Sequence, residues 1–253
     1  MEYLKIINRF GPMDTINHNE MTTEDQNNPD IQILSQDDAI LVINKPTGLL
    51  SIPDGYDRSM PHVAGSLAPQ FGHLWIVHRL DRETSGVMIL AKTVTAHRIL
   101  NIQFEHRQIQ KIYHTFVQRQ PDWDSIKITT PLRVNGDRKH RTVAAPLTGK
   151  PAETDFLILK RFLWGCLIEA QPYTGYTHQI RAHLASIGFP ILADALYLNL
   201  GSNPKEKRGN DYPPPFIDRL ALHAASISFT HPQTKIPVQV TAPYPLDILN
   251  LIA

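Results

Sequence analysis

A carboxylate caught between two guanidinium groups is the first place in this chain where chemistry could be done. Asp81 lies in "VHRLDRETSGVMILAKT", two residues after Arg79 and directly before Arg82, in a polar turn between apolar segments. Turns are rich in Asp, Thr, Ser and Gly because these side chains bond their own backbone and tolerate unusual dihedrals. A purely structural Asp81 is therefore the simpler reading, since functional carboxylates are a minority of turn carboxylates. Against it, "TSG" runs straight into the buried-looking "VMILA", which puts the carboxylate at the mouth of a sheet.

Three further stretches carry reactive residue types. In "GYTHQIRAHLASIG", Arg181 follows Ile180, whose spacing marks it as core-facing, so its guanidinium starts near a helix–sheet seam and needs a carboxylate partner. The competing reading, a snorkelling arginine with its head in water, has equal weight. His178 and His183 in the same segment are five apart, whereas zinc helices place ligands four apart on one face, so no metal site is expected. In "KIYHTFVQ", Tyr113 follows Lys111 in a strand-like run, where a tyrosine usually only packs. "INKPTGLLSIPDG" reads as a strand ended by Pro46 with a tight turn at Gly48.

The elements that must position these residues are mostly strands. "AILVINK", "GVMILAK", "IYHTFVQ", "TDFLILKRF", "CLIEAQ", "ASISFTH" and "IPVQVTA" are β-branched or alternating. "TAHRILNIQFEH" sets Ala96, Ile99, Leu100 and Phe104 on one helical face, and "THQIRAHLASIG" does so with Ile180, Leu184 and Ile187 before closing on Gly188. Each helix should pack on the sheet. "RVNGDRKHR" carries an Asn-Gly hairpin signal whose tip would present Arg138, Lys139 and Arg141. Few helices among many strands, without a βαβ rhythm, predict an α+β fold around a large mixed, mainly antiparallel sheet with flanking helices and loops.

Length and composition set outer bounds. A chain of 253 residues with 42% hydrophobic content is an ordinary globular protein, and its net charge of +1 leaves any binding of nucleic acid to a local patch. The lone Cys166 reads as a small strand residue in a reducing compartment, so a cytoplasmic protein is expected. No signal-peptide core or membrane-length segment is evident. Residues 1–30 are expected to be a flexible extension, because "GPMDTINHNEMTTEDQNNPD" lacks any hydrophobic period, and 31–253 a single domain. Residues 201–215, rich in Gly, Lys and Pro, read as a surface loop. No phosphate loop, dinucleotide fingerprint or Cys-rich zinc pattern is present, so no cofactor is expected.

Taken together and in this order, the pieces resemble the RluA-type RNA pseudouridine synthases. "HRLDRETSG" matches that family's H-R-L-D-x-x-T-S-G signature at every fixed position, and the likeness runs from "NKPTGLLSIP" to "KIYHTFV", "GKPAETDF", "TGYTHQIRAHLASIGFPILAD" and "RLALHAASISFTHP". It implies the pseudouridine synthase catalytic fold and isomerisation of an RNA uridine to its C-glycoside without cofactor or metal. The family's catalytic aspartate falls on Asp81, acting by attack on the base or by assisting cleavage at the sugar, and both remain open. Its basic partner falls on Arg181, which would hold Asp81 ionised and oriented. Its tyrosine falls on Tyr113, which would stack on the target base and help remove the C5 proton. Its base-flipping arginine falls on Arg79, since a target in folded RNA must leave its stack.

On this resemblance Arg138, Lys139 and Arg141 would contact phosphates. Lys205, Lys207 and Arg208 could do the same, although a solvated loop is the simpler reading for them. Two departures stand out. Tyr176 replaces the arginine common before T-H-Q-[IL]-R, which puts one backbone or phosphate contact in doubt, and the leader is too short and acidic for the S4 domain many relatives carry. The expected partner is structured RNA, a tRNA or ribosomal RNA stem-loop, for a monomer with no membrane and no obligate protein partner. The alternatives are a non-catalytic RNA-binding or RNA-remodelling protein on the same fold and, against the spacing of His178 and His183, a metal-dependent hydrolase.

Overall fold

The structure, a computed structural model, describes residues 30–198 and 213–252. The leader, apart from Asp30, and Lys205, Lys207 and Arg208 lie outside the described residues. The chain opens with an antiparallel pair, β1 (Gln32–Gln36) and β2 (Ile40–Lys45), followed by helix α1 (Val63–Phe71), short β3 (Trp75–Ile76) and β4 (Ser85–Ala91). Helix α2 (Val94–Glu105) leads to β5 (Gln110–Gln118), β6 (Ser125–Ile128) and the two-residue strands β7 (Leu132–Arg133) and β8 (Val143–Ala144). Strands β9 (Thr154–Phe162) and β10 (Gly165–Pro172) precede helix α3 (Gln179–Ser186), and β11 (Leu222–Thr230), β12 (Pro237–Thr241) and helix α4 (Leu246–Ile252) complete the order.

Each of the seven strand-like runs becomes a strand, and both expected helices form. Thr93 caps α2 by accepting from the Ala96 amide, and Gly188 takes up the left-handed conformation just beyond α3. Ten strands make one sheet in the order β1-β2-β4-β11-β5-β10-β9-β6, with β12 added to β11 and β3 to β4; β7 and β8 pair separately. The fold is thus α+β, with a mixed, mainly antiparallel sheet. No helix among the described residues is long and apolar enough to cross a membrane.

One junction in the sheet is parallel. Strands β4 and β11 meet over only two residue pairs, His223 with Ser85 and Ala224 with Gly86. Gly86 has φ +116°, and a Cβ there would overlap the Ala224 carbonyl, so this close approach requires glycine. On one side of the junction a core gathers β2, β4, α1 and α2; on the other a second core gathers β5, β9, β10, α3 and α4. Tyr113 of β5 packs against both. The candidate residues collect beside this seam.

Candidate active site

Asp81 sits in the turn just before β4, and that turn is cast against the segment that follows β2. The Ser51 hydroxyl donates to the Leu80 carbonyl at 2.7 Å and accepts from its amide at 3.0 Å. The Gly48 amide donates to the Arg82 carbonyl at 2.8 Å, and the Thr47 hydroxyl donates to the Glu83 carbonyl at 2.9 Å. Gly48 can do this because it holds φ +82°, where a side chain would be strained. Lys45 is fully buried, and its ammonium donates to the carbonyls of Pro46, Leu49 and Arg82 at 2.9, 2.9 and 3.3 Å. Burial draws its pKa down to about 7, against the pull of Asp81 and Glu83. The Asp81 carbonyl then closes the turn on the Thr84 amide at 3.1 Å, and Ser85 is fixed by His223 at 2.9 Å.

Arg181 arrives from the other core on α3. Its side chain is only 3% exposed and forms a bidentate pair with fully buried Asp194, Nε to Oδ2 and Nη2 to Oδ1, both 2.8 Å. Burial works against its charge, and the bonds to Asp194 more than restore it, so the guanidinium is held above its ordinary value. The remaining nitrogen, Nη1, is buried without a hydrogen-bond partner and points at Asp81 Oδ2 at 3.7 Å. The carboxylate partner a buried arginine needs is thus chiefly Asp194, while Asp81 is touched electrostatically and keeps its oxygens free. Asp194 also accepts the Leu196 and Tyr197 amides, at 3.0 and 3.2 Å.

The loop entering α3 is held by Gln179, which uses both amide hydrogens and two acceptor bonds. It donates to the Glu153 carbonyl at 3.0 Å and the Thr154 hydroxyl at 2.9 Å, and accepts from the Thr174 hydroxyl at 2.7 Å and the Tyr176 amide at 3.2 Å. The two histidines of this segment part company. His183 is buried between Thr154 and the Thr130 carbonyl, whereas His178 faces Asp81 with Nε2 at 3.8 Å from Oδ2. No group of three or more His, Cys, Asp or Glu side chains among the described residues could hold a metal.

These groups surround a cavity of about 500 Å³, whose walls include Arg79, Asp81, Tyr113, Tyr176, His178 and Arg181. Asp81 is 17% exposed, enough to meet a ligand. The Tyr113 hydroxyl is pushed up by burial and by the charge of Asp81, so it keeps its proton at neutral pH. Lys111, two residues before it, donates to the Thr174 carbonyl at 3.2 Å and is drawn down to about 8 by burial. Arg79 is exposed on the cavity wall, and Tyr176 is partly buried against the small cluster that includes Ala182 and Tyr197.

The hairpin between β7 and β8 is wider than an Asn-Gly turn. Asn135 is left-handed, but Asp137 captures the Lys139 and Arg141 amides at 3.0 and 3.1 Å, and Gly136 donates to the Arg141 carbonyl at 2.7 Å. Arg138 and Lys139 are exposed at its end. Arg141 is tied down: its guanidinium donates to Asp137 at 2.7 Å and to the Leu196 carbonyl at 2.7 Å, and lies over the Tyr197 ring. The sequence raised His178 only as a metal ligand to be set aside and gave no sign of Lys45, Ser51 or Asp194 as parts of the site; each is defined by a contact across the fold.

The known proteins that this chain is similar to are RNA pseudouridine synthases. The chain is 37% identical over 213 residues to ribosomal large subunit pseudouridine synthase C of Vibrio cholerae, covering 83% of this chain and 65% of that protein. It is 34% identical over 211 residues to the dual-specificity RNA pseudouridine synthase RluA of Vibrio vulnificus, covering 81% of this chain and 80% of that one. It spans 60% of ribosomal large subunit pseudouridine synthase D of Neisseria meningitidis serogroup B, at 35% identity and with 88% of this chain covered. In fold it is similar to human RNA pseudouridylate synthase domain containing 4, with a TM-score of 0.67 at 24% identity over 87% of this chain and 91% of that one. Residues 39–186 match the family described as RNA pseudouridylate synthase, and the chain belongs to that family.

Proposed function

We propose that this protein isomerises uridine to pseudouridine in structured RNA, at stem-loop sites of tRNA or large-subunit ribosomal RNA, as an RluA-type enzyme of the cytoplasm. The observation that carries the reading is the half-engaged Arg181: two of its nitrogens are spent on Asp194 and the third is aimed, without a hydrogen bond, at a carboxylate in an open cavity. A buried unpaired donor costs about 1–3 kcal/mol, a cost more readily explained at a working site than in a scaffold. The names of the relatives, one for the large ribosomal subunit and one for dual specificity, support the choice of substrates.

In this reading Asp81 meets the extruded uridine, either at the base or at the sugar, while Arg181 Nη1, 3.7 Å away, orients the carboxylate. Arg79 fills the space the base leaves in the RNA. Tyr113 offers its ring to the base and retains its hydroxyl proton. Arg138 and Lys139 reach for phosphates, and Arg141 braces the hairpin that presents them.

The test is tritium release from RNA labelled at uridine C5, with separate tRNA and ribosomal RNA pools and Asp81→Asn as control. Release by the parent alone is expected, and the releasing pool names the substrate class. Binding of RNA without release from either pool would leave a binding protein on this fold.

A further inference from the structure

Not every charge on the cavity wall is used by the reaction proposed above. Lys111 and Tyr113 both line the cavity from one face of β5, and two residues of strand set their stems about 7 Å apart. The Lys111 ammonium donates one hydrogen to the Thr174 carbonyl at 3.2 Å, which leaves two. Burial alone draws it down to about 8, with no carboxylate pulling the other way. Lys45 is the contrast, since it feels both Asp81 and Glu83 and is ringed by three carbonyls. Glu105, exposed on the same wall as Lys111, does not act on it.

His78 adds a second donor. Its Nε2 accepts from the Ile89 amide at 3.0 Å, so the single hydrogen of the neutral ring is on Nδ1. Burial and the charge of Lys111 both oppose a second proton, which keeps the ring neutral and shows that the two groups lie within electrostatic reach of each other. Nδ1 has no partner among the described residues and is not shut off from solvent. The ring stacks on Phe104, 4.8 Å between centroids, which fixes its plane. Two donors on one wall, with no acceptor supplied by the protein, are half of a site that a ligand completes. A partly buried ammonium without a counter-ion calls for a ligand with a full negative charge.

We propose that Lys111 Nζ and His78 Nδ1 together bind a phosphate group and that, resting on the isomerase reading above, this is a backbone phosphate beside the flipped uridine. A base laid on Tyr113 brings its own sugar–phosphate chain within reach of Lys111. The approach is open, because exposed Gly175 puts no side chain over the ammonium; a Cβ added there would stand 3.6 Å from Nζ. Arg107, exposed on the same wall, adds positive potential at the rim. The contact anchors the nucleotide by its charge and so contributes position and affinity, not choice of sequence.

Two measurements separate free phosphate from RNA. In the first, nitrogen NMR follows the Lys111 and His78 side chains of the whole chain during titration with inorganic phosphate at constant ionic strength. Both signals are expected to shift along one saturable curve. Lys111→Met should abolish the His78 response, and Gly175→Asp, which offers the ammonium a carboxylate, should weaken both. No saturable shift, or a His78 hydrogen found on Nε2 in place of Nδ1, overturns the site. In the second, binding of the tRNA and ribosomal RNA pools is measured against salt for the parent, Lys111→Met and Lys111→Arg. The methionine variant should bind about tenfold more weakly at low salt, with a slope of log affinity against log salt shallower by about 0.7 to 0.9, the loss of one phosphate contact. Its defect in turnover should fall on KM more than on kcat, and the arginine variant should restore the slope. Gly175→Asp serves in both measurements if the methionine variant misfolds. A slope that these variants leave unchanged overturns the RNA contact, even where free phosphate binds. A parent that releases no C5 label from any RNA sinks the isomerase reading alone, since the phosphate titration still judges the site.

Discussion

Replacing Asp194 with asparagine should unfold this protein more readily than replacing Asp81, although only Asp81 faces the cavity. Asp194 accepts four hydrogen bonds, two of them from a guanidinium that is 3% exposed. An asparagine that keeps Oδ1 in place retains the Arg181 Nη2, Leu196 and Tyr197 bonds, but turns an NH₂ toward Arg181 Nε where an oxygen was. One charge-assisted bond, worth about 1.5–3 kcal/mol, disappears. The buried cation is left with Asp81 at 3.7 Å as its nearest counter-charge. Breaking a buried pair from one side costs about 3–5 kcal/mol, and because Asp81 offsets part of it, about 3 kcal/mol is expected. For a domain of this size that lowers Tm by roughly 6–12 °C. Asp81→Asn removes an interaction with no hydrogen bond and should cost less than about 1 kcal/mol. Urea and thermal unfolding of parent, D194N and D81N would measure both. A D194N protein that melts with the parent, or a D81N protein that loses more than D194N, would refute the division of labour between the two carboxylates.

Lys45→Met should cost about 2–4 kcal/mol, because it strands the Pro46, Leu49 and Arg82 carbonyls that Lys45 now satisfies; urea unfolding and increased amide exchange at residues 80–84 are the readouts. Gly86→Ala should prevent stable folding, since its methyl would meet the Ala224 carbonyl at φ +116°; a soluble variant with a native melt contradicts this. Burial lowers His78 to about 3 and His223 to about 4, from 6.5. Above pH 6.5 both are neutral folded or unfolded, and as pH falls from 6.5 toward 4 only the unfolded chain takes up these protons. Stability should fall by about 2.7 kcal/mol per pH unit from the pair and level off below their folded values, as denaturation at stepped pH would report. Arg138→Glu with Lys139→Glu should weaken RNA binding across sequences and reduce the slope of affinity against salt by about one for each phosphate the hairpin no longer neutralises, while kcat on saturating RNA is unchanged.

Much of this architecture is visible in the sequence because strands buried on a sheet must be β-branched or alternating, as "ILVIN" and "SGVMILA" are. Helix α1 is hidden, since Gly65 and Pro69 lie inside it and read as loop. Asp81, Tyr113 and Arg181 are each ambiguous alone and persuasive only as an ordered set. The supporting residues are harder to see. A lysine at a strand end reads as solvent-facing, and nothing around Lys45 announces that three carbonyls will enclose it. Asp194 pairs with Arg181 through the turn after α3, and His178 reaches Tyr197 through a rare backbone conformation, so neither pairing follows from a local period.

The carboxylate and its guanidinium belong to different cores, joined where β4 and β11 meet over two residue pairs. The Asp81 turn is moulded by nearby chain, residues 45–51, and can take shape as soon as β2 and β4 register. Arg181 cannot reach it until β11, which comes late in the sequence, has threaded between β4 and β5. That closure spans most of the chain and so belongs to the slow, non-local part of folding. During refolding, secondary structure and even the Asp81 turn should therefore appear before catalytic competence, which returns only with the final closure of the sheet.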